Sequence, residues 1–377
     1  MSTVKLAACC KFFSGGTPTK GKSDYWNGEI PWFSPKDIKS FELVSSQDRI
    51  SEIAVRESAT RLVMPGTILV VGRSGVLAHT LPVGIVRQPS TFNQDIKAIV
   101  PSENYDPEYV ALYLTARQSF VLKEGVKRGP TVHSLIADFI EELDIPDISI
   151  DHQREIAARL KSQLAEVEAA RLAAQVQLRE VTKLADSIIY DSIKTAGTEP
   201  RTLGDVLDEV KKGIGQDWQS YPVHGATRNG LAPAKEQPGK QAPKYKPTSP
   251  ETVFYNPMRI LIGSIALVDE DDTPGITSPD YVVLQGKGGV VDSRWFYHWL
   301  RSPLGEQCIL SLARGAVRER MLFNRLAQGA IELPSFAEQK KVSAALKELR
   351  PLRRAIEQQL REIDLLPKKI LAETFNS

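Results

Sequence analysis

The stretch Gly16-Thr17-Pro18-Thr19-Lys20-Gly21-Lys22-Ser23 satisfies the phosphate-loop pattern GxxxxGK[ST]. In that chemistry backbone amides cradle phosphates, the lysine reaches the terminal phosphates and the hydroxyl holds magnesium. It needs a strand before the loop and a helix after it, so that the helix N-terminus faces the anion. Here DYWNGEIPWF follows, and Gly28 and Pro31 forbid a helix of useful length. No later apolar strand ends in a magnesium-binding Asp. Nucleotide hydrolysis through Lys22 and Ser23 is therefore the weaker reading, kept as an alternative.

Other catalytic patterns fall short. Asp269-Glu270-Asp271-Asp272 lacks the alternate spacing and Gly of a calcium loop and reads as a solvated turn. Gly72-Arg73-Ser74-Gly75 is followed by Val76, where a nucleophile elbow needs Gly. Five histidines show no ligand spacing, so no metal is expected. A methyltransferase would need an Asn/Asp-Pro-Pro-aromatic motif, and the nearest fragment, Ser278-Pro279-Asp280-Tyr281, lacks the amide and the second proline.

What recurs is basic, amide and hydroxyl side chains interleaved with aromatics in Gly/Pro-rich loops. In the first half these are Lys20, Lys22, Tyr25, Ser34, Lys36, Arg73, Ser74, His79, Asn93, Gln94, Lys127, Arg128, Thr131 and His133. In the second half they are Lys211, Lys212, His224, Arg228, Asn229, Lys244, Tyr245, Lys246, Arg314, Arg318 and Arg320. Lys and Arg neutralise phosphates, while Arg, Asn, Gln and Ser can read base edges in the major groove. The clusters weigh more than their members, and Trp26 and Trp32 are expected in the core.

The elements that must position these loops come in duplicate. IPDISIDHQREIAARL (145–160) parallels LPSFAEQKKVSAAL (333–346), with Pro146 matching Pro334 and Gln153 matching Gln339. DPEYVALYL (106–114) parallels DSRWFYHWL (292–300) at the offset of 186 that relates the two glutamines, and Gln-Leu-Arg-Glu recurs at an offset of 182. The difference of four residues is about one helical turn, which keeps an apolar stripe on one side. Each half therefore has a variable region and then a long helix.

Ile156, Leu160, Leu164 and Val167 stripe the first helix, and Val342, Leu346, Leu349, Ile356, Leu360, Ile363 and Ile370 the second. Asp151 and Ser335 are the expected N-caps. Pro351 and Pro367 are expected to kink or interrupt the second helix. Each helix should span roughly 60–70 Å, and each apolar seam needs a partner, the nearest being the other helix. A coiled-coil scaffold without a DNA role is the second alternative. Short apolar runs broken by Gly, Pro, Ser and Asn, among them RLVMPGTILVVG and RILIGSIALV, predict β-rich variable regions. The expected fold is α+β: two similar domains at 1–150 and 198–335, and two long helices at 151–197 and 336–377.

Composition sets the outer bounds. The 377 residues are 42% hydrophobic and 25% charged, which excludes wholesale disorder, and no apolar stretch is long enough for a membrane span. The apolar run before Lys11 is too short for a secretory signal. Cys9, Cys10 and Cys308 give neither a disulfide framework nor a zinc pattern, so the expected compartment is the cytoplasm. A net charge of +2 permits nucleic-acid binding through local patches.

With these residues in view, the chain resembles the specificity subunits of type I restriction–modification systems. SGGTPTKGKSDYWNGEIPWFSPKDI (14–38), TFNQDIKAIVP (91–101), GPTVHSL (129–135), YPVHGATRNGL (221–231), GITSPDYVVL (275–284) and the two Pro-to-Gln helix entries carry the likeness over essentially the whole chain. The resemblance implies two target-recognition domains, each reading half of a split double-stranded DNA sequence, joined by two antiparallel helices. It implies a non-catalytic chain without cofactor of its own. Two methylating subunits would bring S-adenosylmethionine and modify adenine, and restriction subunits would bring ATP and magnesium. The second half lacks the IPW string of the first.

Overall fold

The computed structural model describes residues 2–136, 138–195, 197–236, 238–239, 241–313 and 320–375. It divides into two compact units, Met1–Leu172 with Arg361–Ser377 and Ala173–Leu360. Each unit takes in part of both long helices.

Unit 1 is built on a five-stranded sheet of β1 (Cys10–Ser14), β2 (Glu42–Leu43), β3 (Ile68–Val71), β4 (Val83–Val86) and β5 (Ile96–Pro101), in the order β1-β5-β3-β4-β2. β3 is buried along its whole length, consistent with its unbroken Ile-Leu-Val-Val run. The helix α1 (Pro107–Ala116) covers the sheet. Asp106 caps it by accepting from the amides of Glu108 and Tyr109, and Pro107 opens its first turn. After α1 the chain passes to α2 (Ile150–Thr195).

Unit 2 repeats this plan. Its four-stranded sheet has β6 (Leu207–Glu209), β7 (Thr252–Tyr255), β8 (Ile265–Val268) and β9 (Val282–Gly286), in the order β6-β9-β7-β8. The pairing is equivalent: Val71 lies opposite Ile96 in unit 1, and Tyr255 opposite Val282 in unit 2. The helix α3 (Ser293–Arg301), capped by Asp292, takes the place of α1, and α4 (Phe336–Phe375) follows. In each unit the first strand pairs with the one that enters the long helix, Thr3–Lys5 with Asp144–Pro146 and Glu199–Thr202 with Ala330–Leu333.

The two matched glutamines explain the repeated helix entries. Gln153 Oε1 accepts from the amide of Asp106 at 2.9 Å, while its Nε2 donates to the carbonyls of Asn104 (3.1 Å) and Ile148 (2.9 Å). Gln339 makes the same three bonds, to the Asp292 amide (2.9 Å) and the carbonyls of Val290 (3.0 Å) and Pro334 (2.9 Å). Both side chains are fully buried. A buried amide with both N–H donors and its oxygen engaged holds the cap of the sheet-covering helix to the start of the long helix.

In unit 1 the opening turns of α2 (Ala157, Leu160) share a core with the closing turns of α4 (Leu371, Phe375). In unit 2 the closing turns of α2 (Ile189) share one with the opening turns of α4 (Val342, Leu346). Within each unit, therefore, the start of one long helix packs with the end of the other.

Three local expectations are corrected. Ser149, not Asp151, caps α2, its Oγ accepting from the His152 amide; Ser335 caps α4 by accepting from Glu338. α4 continues through Pro351 and Pro367, because each proline removes one donor and the flanking turns keep theirs. The run Asp269–Asp272 is an anchor rather than a solvated turn. Asp269 is buried against Arg294 of α3 and Arg350 of α4, and Asp272 pairs with Arg350 and Arg354. Unit 1 makes its anchor with the charges rearranged: Glu108 of α1 accepts from Arg87 and Lys161 of α2.

Candidate nucleic-acid interface

In unit 1 the loop leaving β3 is tied down on both sides. The amides of Gly72 and Arg73 donate to the carbonyl of Asp95, and the Gly72 carbonyl accepts from Leu135. A small sheet of Arg73–Ser74, His133–Leu135 and Val126–Lys127 therefore rests on the end of the main sheet. A Cβ on Gly75 would lie 3.1 Å from the Thr131 carbonyl, which packs the Thr131 loop against the β3 loop. Ser74 Oγ accepts from the Val76 amide and starts the turn Gly75–Ala78 that leads to exposed His79. His133 Nδ1 accepts from the Gly129 amide at 3.3 Å.

This arrangement brings together Arg73, Ser74, His79, Lys127, Arg128, Thr131 and His133. Gln94 joins them through the Asp95 turn, and its Oε1 accepts from Thr17 Oγ1 at 2.7 Å, linking the loop that carries Lys20 and Lys22. Arg73 is exposed and only loosely held by Asp95 at 3.9 Å. Lys20, Lys127 and Arg128 are exposed and make no ion pair among the described residues. Such free cations on one edge are what a phosphate backbone requires.

Several expected contacts are corrected here. Tyr25 is buried, and its hydroxyl donates to Glu57 at 2.9 Å. Lys22 Nζ donates to that hydroxyl at 2.8 Å, and this bond, with Glu57 beyond it, holds the ammonium above its ordinary pKa. The same loop leads only into the three-residue turn Ser23–Tyr25, so no helix receives a phosphate there. Ser34 is buried with its hydroxyl on Asp37, and Asn93 is buried with its Oδ1 accepting from the Asp95 amide. Lys36 is paired with Asp48 at 3.0 Å, in the sheet of Ile30–Phe33. Trp32 lies in the core, its Nε1 donating to the Gly16 carbonyl.

In unit 2 the candidates separate into two groups. Ile214 donates to the Tyr245 carbonyl, which sets Lys211 and Lys212 beside Lys244, Tyr245 and Lys246. Lys246 Nζ donates to the Tyr281 carbonyl, and partial burial lowers its pKa. Arg320 pairs with the adjacent Asp280 at 3.0 Å. The second group lies on the hairpin His224–Thr227/Gly230–Pro233, whose turn exposes Arg228 and Asn229. His224 is corrected to a core residue: it is buried on Thr248 Oγ1, and burial pushes its pKa down. Arg314 and Arg318 lie outside the described residues.

Arg228 and Asn229 also line a cavity of about 1050 Å³, walled by parts of α2, α3 and α4 within unit 2. His298 faces it with a pKa pushed down to about 3 by burial and by Arg301, Arg353 and Arg294. The run RILIGSIALV, expected as one strand, is split: Ile260–Ile262 form a turn that Gly263 closes at φ +78, and only Ile265–Val268 is strand. The sequence reading therefore passed over the loop Asn256–Ser264. Its signal was the duplication, which places it after β7 as Gly72–Pro82 stands after β3.

These features define a class: a duplicated α+β chain in which two equivalent sheet units, each clamped to parts of both long helices, present dissimilar loops rich in basic and amide side chains. Residues 1–177 match the family of the type I restriction modification DNA specificity domain. The chain is 39% identical over 147 residues to the EcoR124I/EcoR124II type I restriction enzyme specificity subunit of Escherichia coli. It is 33% identical over 153 residues to the MjaIX specificity subunit of Methanocaldococcus jannaschii. Each match covers 39% of this chain, and 36% and 34% of those relatives. Among solved structures, the type I restriction–modification S subunit from M. genitalium is similar over 99% of this chain and 96% of its own, with a TM-score of 0.52 and 13% identity. A chain from a study of complex assembly and conformational transition in the type I R-M system is similar over the same shares, with a TM-score of 0.66 and 16% identity. Residues 1–177 are thus similar to the type I restriction modification DNA specificity domain, and the fold of the chain is that of the solved S subunit from M. genitalium.

Proposed function

We propose that this chain is the DNA sequence-specificity subunit of a type I restriction–modification complex, recognising a bipartite double-stranded target and carrying no catalysis of its own. The observation that supports this most strongly is the repeated scaffold with unlike loops. Equivalent sheets and identical glutamine clamps fix two readers in the same way, while the loops at their ends differ in chemistry. Lys20, Lys127 and Arg128 in unit 1, and Lys212 and Lys244 in unit 2, supply phosphate contacts that set position. Arg73, Ser74, Gln94, Arg228 and Asn229 are the side chains suited to base edges. Unlike loops should make the two half-sites different, and continuous helices should fix the number of unread base pairs between them.

In this reading the methylating subunits, two per chain, bind S-adenosylmethionine and modify adenine. Restriction subunits bring ATP and magnesium, and the complex works in the cytoplasm on host DNA. No helix among the described residues is long and apolar enough to cross a membrane. The test is methyladenine mapping of the host genome with and without this gene. A split motif with a constant spacer, lost on deletion, is the expected result. A continuous motif, or no change on deletion, overturns the proposal.

A further inference from the structure

The duplication locates a residue pair that motif reading does not. In unit 1 the Gly72 carbonyl accepts from the Leu135 amide at 2.8 Å; in unit 2 the Pro257 carbonyl accepts from the Met321 amide at 3.0 Å. Leu135 and Met321 are separated by the offset of 186 that relates the two halves. The sheets around them pair equivalently, β3 with β5 and β4, and β7 with β9 and β8. By this hydrogen bond Gly72 corresponds to Pro257, and the next residue, Arg73, to Met258, the loop of unit 2 carrying one extra residue, Asn256, between its strand and the bond.

The two loops are chemically opposite at that place. Arg73 offers a guanidinium. Met258 is 63% exposed, and Ile262 on the same loop is 56% exposed. Large apolar side chains left in water at a loop tip mark a contact surface. Arg259, beside Met258, is exposed and has no ion pair among the described residues. Arg228 Nε reaches the Ile262 carbonyl at 3.4 Å, so the hairpin turn that exposes Asn229 lies against the same loop.

Base edges match this difference. In the major groove guanine presents two acceptors to an arginine, whereas thymine presents a methyl group to an apolar side chain. We propose that Asn256–Ser264 is the base-reading loop of unit 2, that Met258 and Ile262 contact thymine methyl groups, and that Arg259 holds an adjacent phosphate. This inference rests on the DNA-specificity reading and deepens it. One half-site carries a guanine opposite Arg73, and the other carries thymine opposite Met258.

The test uses the reconstituted complex with its methylating subunits and duplexes bearing the mapped target. Deoxyuridine replaces thymine in one half-site at a time, which deletes the methyl and leaves the pairing edge intact. Loss of each contacted methyl should weaken binding about fourfold, the equivalent of one buried methylene. That loss should occur only within the unit 2 half-site, and in Met258→Ala or Ile262→Ala it should vanish at the methyl which the removed side chain contacts. Both side chains are exposed, so folding is unaffected, as an unchanged melting curve will show. Arg259→Ala should lower the slope of log affinity against log salt by about 1, whatever the base sequence. Deoxyuridine losses that are identical in the wild type and both variants overturn the proposal. So does a Met258→Ala chain that reads DNA normally but no longer binds its methylating subunits, since the loop would then be a protein contact. If the wild-type complex marks no split motif at all, the parent reading fails instead.

Discussion

Units 1 and 2 share a frame and differ in what they hang on it. The glutamine clamp is atom-for-atom equivalent, with Gln153 on the Asp106 amide and Gln339 on the Asp292 amide. The anchor beside it is not. Unit 1 places an acid, Glu108, on the sheet-covering helix, and Lys161 on the long helix answers it. Unit 2 places a base, Arg294, at the same offset, answered by Asp269 from the β8 turn, with Arg350 on the long helix sharing that acid. Buried hydrogen-bond geometry leaves one solution, whereas an ion pair works with its signs exchanged. The duplication has kept what admits no substitute and varied the rest, and the loops at the sheet ends vary most.

The anchors provide the largest expected contrast. Asp269→Ala strands two partly buried arginines and should cost about 3 kcal/mol of unfolding free energy. Glu108→Ala, whose partners are more exposed, should cost only about 1 kcal/mol. Burial opposes the ionised form of Asp269, but the Arg294 bond and the neighbouring charges hold its pKa below the ordinary 3.8. Its folded pKa is lowered, so its contribution is complete above pH 3.8 and is lost as pH falls through the folded value. Denaturant titrations at pH 7 and pH 3 measure both quantities. Equal costs at pH 7 would remove the distinction between the anchors.

A smaller and symmetric effect is expected at the clamps. Gln153→Ala and Gln339→Ala each leave a buried amide and two carbonyls without partners, at about 2 kcal/mol apiece. Hydrogen exchange should report opening at Asp106–Tyr109 in one variant and Asp292–Trp295 in the other. A cost confined to one clamp would mean that the equivalent geometry carries unequal energy.

Much of this was legible in the sequence, for physical reasons. The helices and glutamines showed because a long amphipathic period and a buried amide tolerate few alternatives, so the two copies still look alike. Asp269–Asp272 misled because a run of four acids resembles a solvated surface until Arg294, Arg350 and Arg354 are brought to it from distant positions. Tyr25, Ser34, Asn93 and His224 misled because a polar type at a loop does not reveal which way its side chain turns. The loop Asn256–Ser264 was hidden for the opposite reason: its apolar residues read as strand, and only the matched bonds of Gly72 to Leu135 and Pro257 to Met321 put Met258 in the place of Arg73.

The central claim is that two independent readers sit on one repeated frame. Exchanging residues 1–150 for those of a type I specificity subunit, followed by methyladenine mapping, tests it most directly. One half of the recognised sequence should change, while the other half and the spacer stay as they were; a change in both halves would contradict the account.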